Sequence, residues 1–232
     1  MAGTKRYKFL VSSGGTREKI DEARFISNSS TGELGSLAAG ALAGAPDCEK
    51  VFYVCGIDAA RPDTDKAEII QVSDTDSAAE AVKNILLKND VDGIVHAMAV
   101  SDYRVKSVKT SGGVELERGK KIASGEDDLF LTLEATPKII SLFPRLAPRA
   151  LLVGFKLLCG VTTETLIDAA YDLLQKNGCA FVVANDKYSI TGTSHRAYLI
   201  DKNKNITGYS TKKEIAAGIA DKMYSTLRGR RA

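Results

Sequence analysis

Five runs of strand length recur along the 232 residues: YKFLV at 7–11, KVFYVC at 50–55, DGIVHAMAV at 92–100, ALLVGFK at 150–156 and AFVVAN at 180–185. Most are apolar at successive positions, whereas a strand with one wet face alternates apolar with polar. Strands apolar throughout are buried on both faces, which is the condition of a parallel sheet covered by helices. Segments of helical spacing separate them. One is 35–43, a second is 77–87 with Ala78, Ala81, Val82, Ile85 and Leu86 on one face, and a third is 163–175 with Leu166, Ala169, Ala170 and Leu173. The alternation predicts an α/β fold, a doubly wound, mostly parallel Rossmann-like sheet with helices on both faces. RAYLID and ITGYS, separated by KNKN, predict a C-terminal β-hairpin appended to it, followed by a helix from Lys212 to about Leu227. No internal repeat is visible, and residues 1–232 are expected to form a single domain.

Charge and cysteine usage exclude several classes of partner. The net charge is +3, and the one basic cluster, RGRRA at 228–232, reads as a solvated, frayed tail, so no nucleic-acid partner is expected. No apolar stretch approaches the ~20 residues of a membrane helix, and Lys5, Arg6 and Lys8 precede too short a run for a signal peptide. No membrane partner is expected, and the localisation is read as cytoplasmic. Cys48, Cys55, Cys159 and Cys179 form no CxxC pair and read as small buried hydrophobes in a reducing compartment.

Ligands of open α/β sheets bind beyond the carboxyl ends of the strands, so the loops there carry the functional signal. The first strand is followed by SSGGTREKIDEARFISNSSTGELG at 12–35, far longer than the roughly 4–6 residues usual for a connection. Its end, NSSTGELG, enters a helix. Free N–H groups there form an anion site, with Asn28, Ser29, Ser30 and Thr31 adding donors around Gly32. Plain N-capping by Ser30 or Thr31 accounts for one residue of this run. Neither GxxxxGK[ST] nor GxGxxG occurs, which counts against a P-loop and against an NAD(P)-dependent oxidoreductase. The third run ends in HAMAVSDYR, where Asp102 either meets a ribose hydroxyl or metal or caps the following turn, and Ala97 and Ala99 admit a flat ligand. Lys156 and Asn185 stand at later strand ends. His96 lies within an apolar run and reads as a satisfied core histidine; His195 is the only other histidine. No GxSxG elbow is present. Donors and cations without an activated nucleophile suit the positioning and charge neutralisation of phosphate-bearing substrates. The segment 104–128 fits nothing regular, and is either a surface loop or a mobile flap that delivers a lysine.

The string GGTREKIDEARFISNSSTGELG resembles the signature GGTxExIDxVRxIxNxSxGxxG of phosphopantothenate–cysteine ligases, or phosphopantothenoylcysteine synthetases, the CoaB step of coenzyme A synthesis. HAMAVSDYR, KIAS, TPKII, GFKLL and VVANDK follow in the family's order over nearly the whole chain. They are most similar to the single-function bacterial form, which lacks a flavin-dependent decarboxylase half, so no FMN is expected. The resemblance implies a ligase joining 4′-phosphopantothenate to L-cysteine through an acyl-nucleotidyl intermediate, with Mg²⁺, in a homodimer. CTP is the expected co-substrate, ATP the alternative; the other alternative is a non-catalytic nucleotide-binding protein on the same fold. It implies that Asn28 holds the intermediate and that Gly14, Gly15, Ser29, Ser30, Thr31 and Gly32 cradle phosphates. His96, Ala97 and Met98 are implied to line the base site through the backbone, with Asp102 near the ribose or metal and Lys121 as the flap lysine. Phe155 is implied to stack near the base, with Lys156 and Lys176 close to the nucleotide. Met98, Ala99 and Asn185 are implied to approach phosphopantothenate. GFKLLC stands where the bifunctional form has GFAAET, which puts Lys156 in place of a small residue.

Overall fold

The computed structural model describes residues 5–117, 119–123, 125 and 128–230. The first expected strand, β1 (Tyr7–Ser13), is followed by a small antiparallel pair, β2 (Arg17–Lys19) and β3 (Phe25–Ser27), and then by α1 (Glu33–Ala43). Next come β4 (Cys48–Gly56), β5 (Ala67–Val72), α2 (Thr75–Lys88) and β6 (Gly93–His96). A two-stranded antiparallel ribbon, β7 (Tyr103–Thr110) and β8 (Leu129–Ala135), stands apart from the main sheet. The chain continues through α3 (Phe143–Leu146), β9 (Leu151–Leu158), α4 (Thr163–Asn177) and β10 (Phe181–Asp186). It closes with the short pair β11 (Ile190–Thr191) and β12 (Ser194–His195), then β13 (Ala197–Asp201), β14 (Ile206–Tyr209) and α5 (Lys212–Gly229).

The main sheet has eight strands in the order β14-β13-β10-β9-β6-β1-β4-β5. All neighbours pair in parallel except at β13, which is antiparallel to both β10 and β14. The chain steps outward from β1 to β4 and β5, then returns to the other side of β1 with β6. The switch point of the sheet therefore lies between β1 and β6, where crevices form in doubly wound folds.

The continuous apolar runs have the cause the sequence suggests. Phe9 and Val11 face α1 and α5 in one core with Leu42, Tyr53, Ile215 and Met223. Leu10 faces the opposite core with Val54, Val82, Ile94, Phe143 and Leu166 under α2, α3 and α4. Each fully buried side chain of this size contributes about 1.5–3 kcal/mol of transfer free energy. Asp74 with Ser77 caps α2, Thr162 caps α4, and Thr211 with Glu214 caps α5.

Several expectations are corrected. The C-terminal hairpin is no appendage, because β13 and β14 extend the main sheet. β6 ends at His96, short of the expected Val100. The segment 104–128 is not irregular throughout, since Tyr103–Thr110 is a strand with Val105 and Val108 buried. Cys48, Cys55 and Cys179 are buried, but Cys159, just past the end of β9, is exposed. The basic C-terminal cluster is not frayed at Arg228, whose guanidinium grips the Asp47 carboxylate at 2.8 to 3.0 Å; Arg231 and Ala232 lie outside the described residues. Among the described residues, no helix is long and apolar enough to cross a membrane.

Candidate active site

At the switch point β1 and β6 keep pairing after their ends. Ala97 N–H donates to Ser12 O (2.9 Å), Ala99 N–H to Gly14 O (2.8 Å), and Thr16 N–H to Ala99 O (3.3 Å). Gly14 turns with a φ of 77°, a left-handed value that glycine adopts without a Cβ penalty. The two strand-end loops thus run side by side over the sheet rim. Asn28, placed directly after β3, is tied to them by its Nδ2, which donates to Val100 O at 3.1 Å.

The turn after Asn28 leads into α1 through Gly32 (φ 72°). The N-cap is Gly32, which has no side-chain acceptor; of the expected caps, Thr31 Oγ1 accepts the Glu33 N–H in a long 3.4 Å bond. α1 therefore differs from α2, α4 and α5, presenting first-turn donors without an N-cap side chain. The turn is held rigidly from behind. Ser13 Oγ donates to Gly32 O (2.8 Å), Ala60 N–H donates to Thr31 O (2.9 Å), and Tyr53 OH donates to Ala60 O (2.6 Å). Burial pushes the Tyr53 phenol up to about 12, so it stays a donor. Gly35 lets α1 approach β1 closely, since a Cβ there would collide with the Ser13 side chain.

Two cavities flank the turn. The larger, about 410 Å³, is lined by residues 29–35, Ala97, Met98, Ala99, Phe155, Leu157, Asn185, Ile190, His195 and Lys212. The smaller, about 300 Å³, is lined by Gly15, Arg17, Phe25, Ser27, Asn28, Asp58 and Ala59, and shares Ser29 and Ser30 with the first. The structure thus gathers Asn28, Ser29, Ser30, Thr31, Gly32, Ala97, Met98, Ala99, Phe155 and Asn185 around one crevice.

Other expected residues stand elsewhere. His96 is buried, shares a 2.6 Å hydrogen bond with Ser12 Oγ and meets the Phe143 ring edge-on. Burial lowers it to about 4, so it is the satisfied, neutral core histidine of the sequence reading. Lys156 and Phe155 are consecutive in β9 and so project to opposite faces of the sheet; only Phe155 lines the cavity. Lys176 is in the last turn of α4, which runs back to the edge where β10 begins, opposite the edge that carries Asn185. Asp102 is exposed at the rim and ion-pairs with Lys138. Lys121 is exposed on the segment between β7 and β8; Ser124 of KIAS, with Arg118, Glu126 and Asp127, lies outside the described residues. Among the described residues no three His, Cys, Asp or Glu side chains come together to hold a metal. With Asp102 committed to Lys138, no protein site for Mg²⁺ is assigned.

Sequence reasoning missed Lys212 and His195 as cavity residues. Lys212 opens α5 and ion-pairs with Glu33 of α1, a relation with no local sequence signal. His195 is buried, with Nε2 3.4 Å from Asn185 Nδ2. Burial, then the Lys212 charge, lowers its affinity for a proton.

A doubly wound sheet with a crevice at its β1/β6 switch point defines a Rossmann-like α/β protein. More narrowly, the chain belongs to the family of DNA/pantothenate metabolism flavoprotein C-terminal domains, whose model matches residues 4–227. It is 32% identical over 226 residues to the coenzyme A biosynthesis bifunctional protein CoaBC of Thermococcus kodakarensis, covering 95% of this chain and 51% of that protein. The chain thus spans about half the length of the curated relatives it matches. The crystal structure of the DNA/pantothenate metabolism flavoprotein from Streptococcus pneumoniae superposes with a TM-score of 0.85 at 33% identity, covering 95% of this chain and 99% of that one. The C-terminal domain of a CoaBC protein superposes with a TM-score of 0.74 at 26% identity, covering 97% of each chain.

Proposed function

We propose that the crevice is the site of a phosphopantothenate–cysteine ligase of the single-function bacterial type. The 4′-phosphopantothenate carboxylate attacks the α-phosphorus of CTP, and pyrophosphate leaves. The cysteine amine then attacks the acyl carbon of the mixed anhydride, loses a proton, and CMP leaves. The observation that carries this reading is the uncapped entry to α1, set between two cavities at the β1/β6 switch point with Asn28 at its head. Two anionic substrates need adjoining space and fixed donors between them, and the 28–32 turn supplies both.

In this reading the turn at 29–32, with Gly14 and Gly15 behind it, holds phosphate, and Asn28 donates to the acyl carbonyl. Phe155 offers its ring to the base beside the backbone of residues 96–98. Met98, Ala99 and Asn185 approach phosphopantothenate, and Lys121 reaches the triphosphate from the flap. Mg²⁺, when bound with the triphosphate, would supply counter-charge to the phosphates, with no crevice side chain assigned to hold it. The enzyme works as a cytoplasmic homodimer. The outer strand β8 supports this, because Leu131 and Leu133 are exposed on a strand paired only with β7 among the described residues.

The test is pyrophosphate release from purified protein with 4′-phosphopantothenate and Mg²⁺, with CTP and ATP in parallel, each with and without cysteine. Release that needs phosphopantothenate, faster with CTP, is the expected result. A preference for ATP would keep the ligase and reassign the nucleotide. Nucleotide binding without release would replace the ligase by a binding protein. Light scattering is expected to give twice the chain mass.

A further inference from the structure

Asp21 sits in the turn between β2 and β3, and its side chain is wholly shielded from solvent. Its Oδ1 accepts the N–H groups of Ala23 and Arg24, both at 2.7 Å. Its Oδ2 accepts from the Arg24 guanidinium and, across 101 positions of sequence, from the N–H of Ile122 at 3.2 Å. The same guanidinium nitrogen reaches Ile122 O at 3.4 Å. Both polar groups of one flap residue are therefore held by one Asp–Arg pair. The Ile122 side chain is buried with Val105 and Val108, against Ile20, Ile26 and Leu116. Burial by itself would raise the Asp21 carboxyl, but the N–H groups of Ala23, Ile122 and Arg24 and the Arg24 guanidinium outweigh it and hold the group at about 2. The acceptor is thus a full carboxylate at any working pH.

We propose that Asp21 is a positioning residue, a latch that fixes the flap backbone at Lys121 relative to Asn28. The N–H that Asp21 holds belongs to the peptide joining Lys121 to Ile122. That peptide is planar, so holding it fixes the carbonyl side of Lys121 directly. On the other side, Asp21 opens the turn into β3, and β3 delivers Asn28 as its next residue. One carboxylate therefore ties the loop carrying Asn28 to the segment carrying Lys121, which the sequence separates widely. The functional purpose rests on the ligase reading; the latch itself does not. Reacting groups held on independent loops would lose the advantage of fixed orientation.

The experiment compares full-length wild type with Asp21→Asn. The amide keeps the shape and an acceptor for the Ala23 and Arg24 N–H groups, but turns an NH2 donor toward the Ile122 N–H and the Arg24 guanidinium and loses the negative charge that pairs with Arg24. Tryptic cleavage after Lys120 or Lys121, read by intact mass, is expected to quicken about 10-fold while the unfolding temperature shifts by only a few degrees. Pyrophosphate release is expected to lose about 10- to 100-fold in kcat, with KM for phosphopantothenate within about twofold. Asp21→Ser, whose single short hydroxyl keeps a turn acceptor but not the second oxygen that meets Ile122, is the second variant and is expected to behave alike. Unchanged cleavage in either folded variant would overturn the latch. Faster cleavage with unchanged kcat would overturn its role in positioning Lys121. A wild type that releases no pyrophosphate sinks the ligase reading, and the cleavage arm still decides the latch.

Discussion

Asn28 Nδ2 and the carbonyl of Val100 meet at 3.1 Å across 72 positions of sequence. The bond joins the loop after β3 to the loop after β6, and it holds the carboxamide in the smaller cavity beside Ser29 and Ser30, which line both cavities. Asn28→Asp removes the donor and sets a negative charge beside a carbonyl oxygen. In the ligase reading activation survives, because attack occurs at the α-phosphorus. Aminolysis is expected to slow about 100-fold or more, since a donor to the developing oxyanion is lost. Quenched single-turnover reactions should show the acyl-nucleotide accumulating; equal loss in both steps would refute the assignment.

Lys212 brings a cation to the larger cavity from the start of α5, where its own helix dipole disfavours it and Glu33 compensates. Lys212→Met is expected to raise KM for phosphopantothenate about 10-fold with kcat nearly unchanged, the pattern of lost uniform binding. The wild-type KM should rise with ionic strength more steeply than the variant's.

His96 gives a stability signature. Its native value of about 4 lies below the ordinary 6.5, through burial. Between those values the unfolded chain binds a proton that the native one refuses. The contribution is full above pH 6.5 and is lost as pH falls toward 4, at up to about 1.4 kcal/mol per pH unit. His195, lowered first by burial and then by Lys212, acts with the same sign, so the comparison is with His96→Gln rather than with theory. Asp21, held at about 2, contributes fully at all of these pH values and loses its contribution only as pH falls below the ordinary carboxylate value of 3.8 toward 2. Urea melts at pH 7, 6 and 5 should show the gap between wild type and variant narrowing as pH falls.

Two glycines of α1 should respond in opposite directions to alanine. At Gly35 the added Cβ strikes Ser13, so α1 must shift, at a cost of about 1–3 kcal/mol and with loss of activity. At Gly40 nothing lies within 4 Å of the added Cβ, and alanine should stabilise by about 0.5–1 kcal/mol. Denaturant midpoints of the two variants check this directly.

The central strands were legible because both faces of each meet a helix layer, which leaves an apolar run. The ribbon was hidden for a physical reason. A register shift between Val105 and Ser107 breaks the two-residue period, so Val105 and Val108 share a face at a spacing that does not read as a strand. β5 escaped because Glu68 and Gln71 interrupt its apolar residues without either a continuous run or a two-residue period. The crevice was legible at Asn28 and the 29–32 turn, which follow β3, and at Asn185, next to the last residue of β10. Lys156, read from a strand end, takes the face of β9 opposite Phe155, and Lys176, implied by the family pattern, stands in the last turn of α4, so the fold does not gather either at the crevice. Lys212 and the Asp21–Ile122 bond depend on folding alone.

The pairing of α1 with α5 also sets an order of events during synthesis. Tyr224 OH donates to Leu42 O at 2.7 Å, and 182 positions separate the two. At roughly 5–20 residues per second the ribosome needs roughly 10–40 s to pass from one to the other. Until α5 emerges, Ala38, Ala39 and Leu42 have no cover from Ile215, Ile219 and Met223. That face of α1 therefore stays without this cover until α5 has been made, and α5 is the element that closes it.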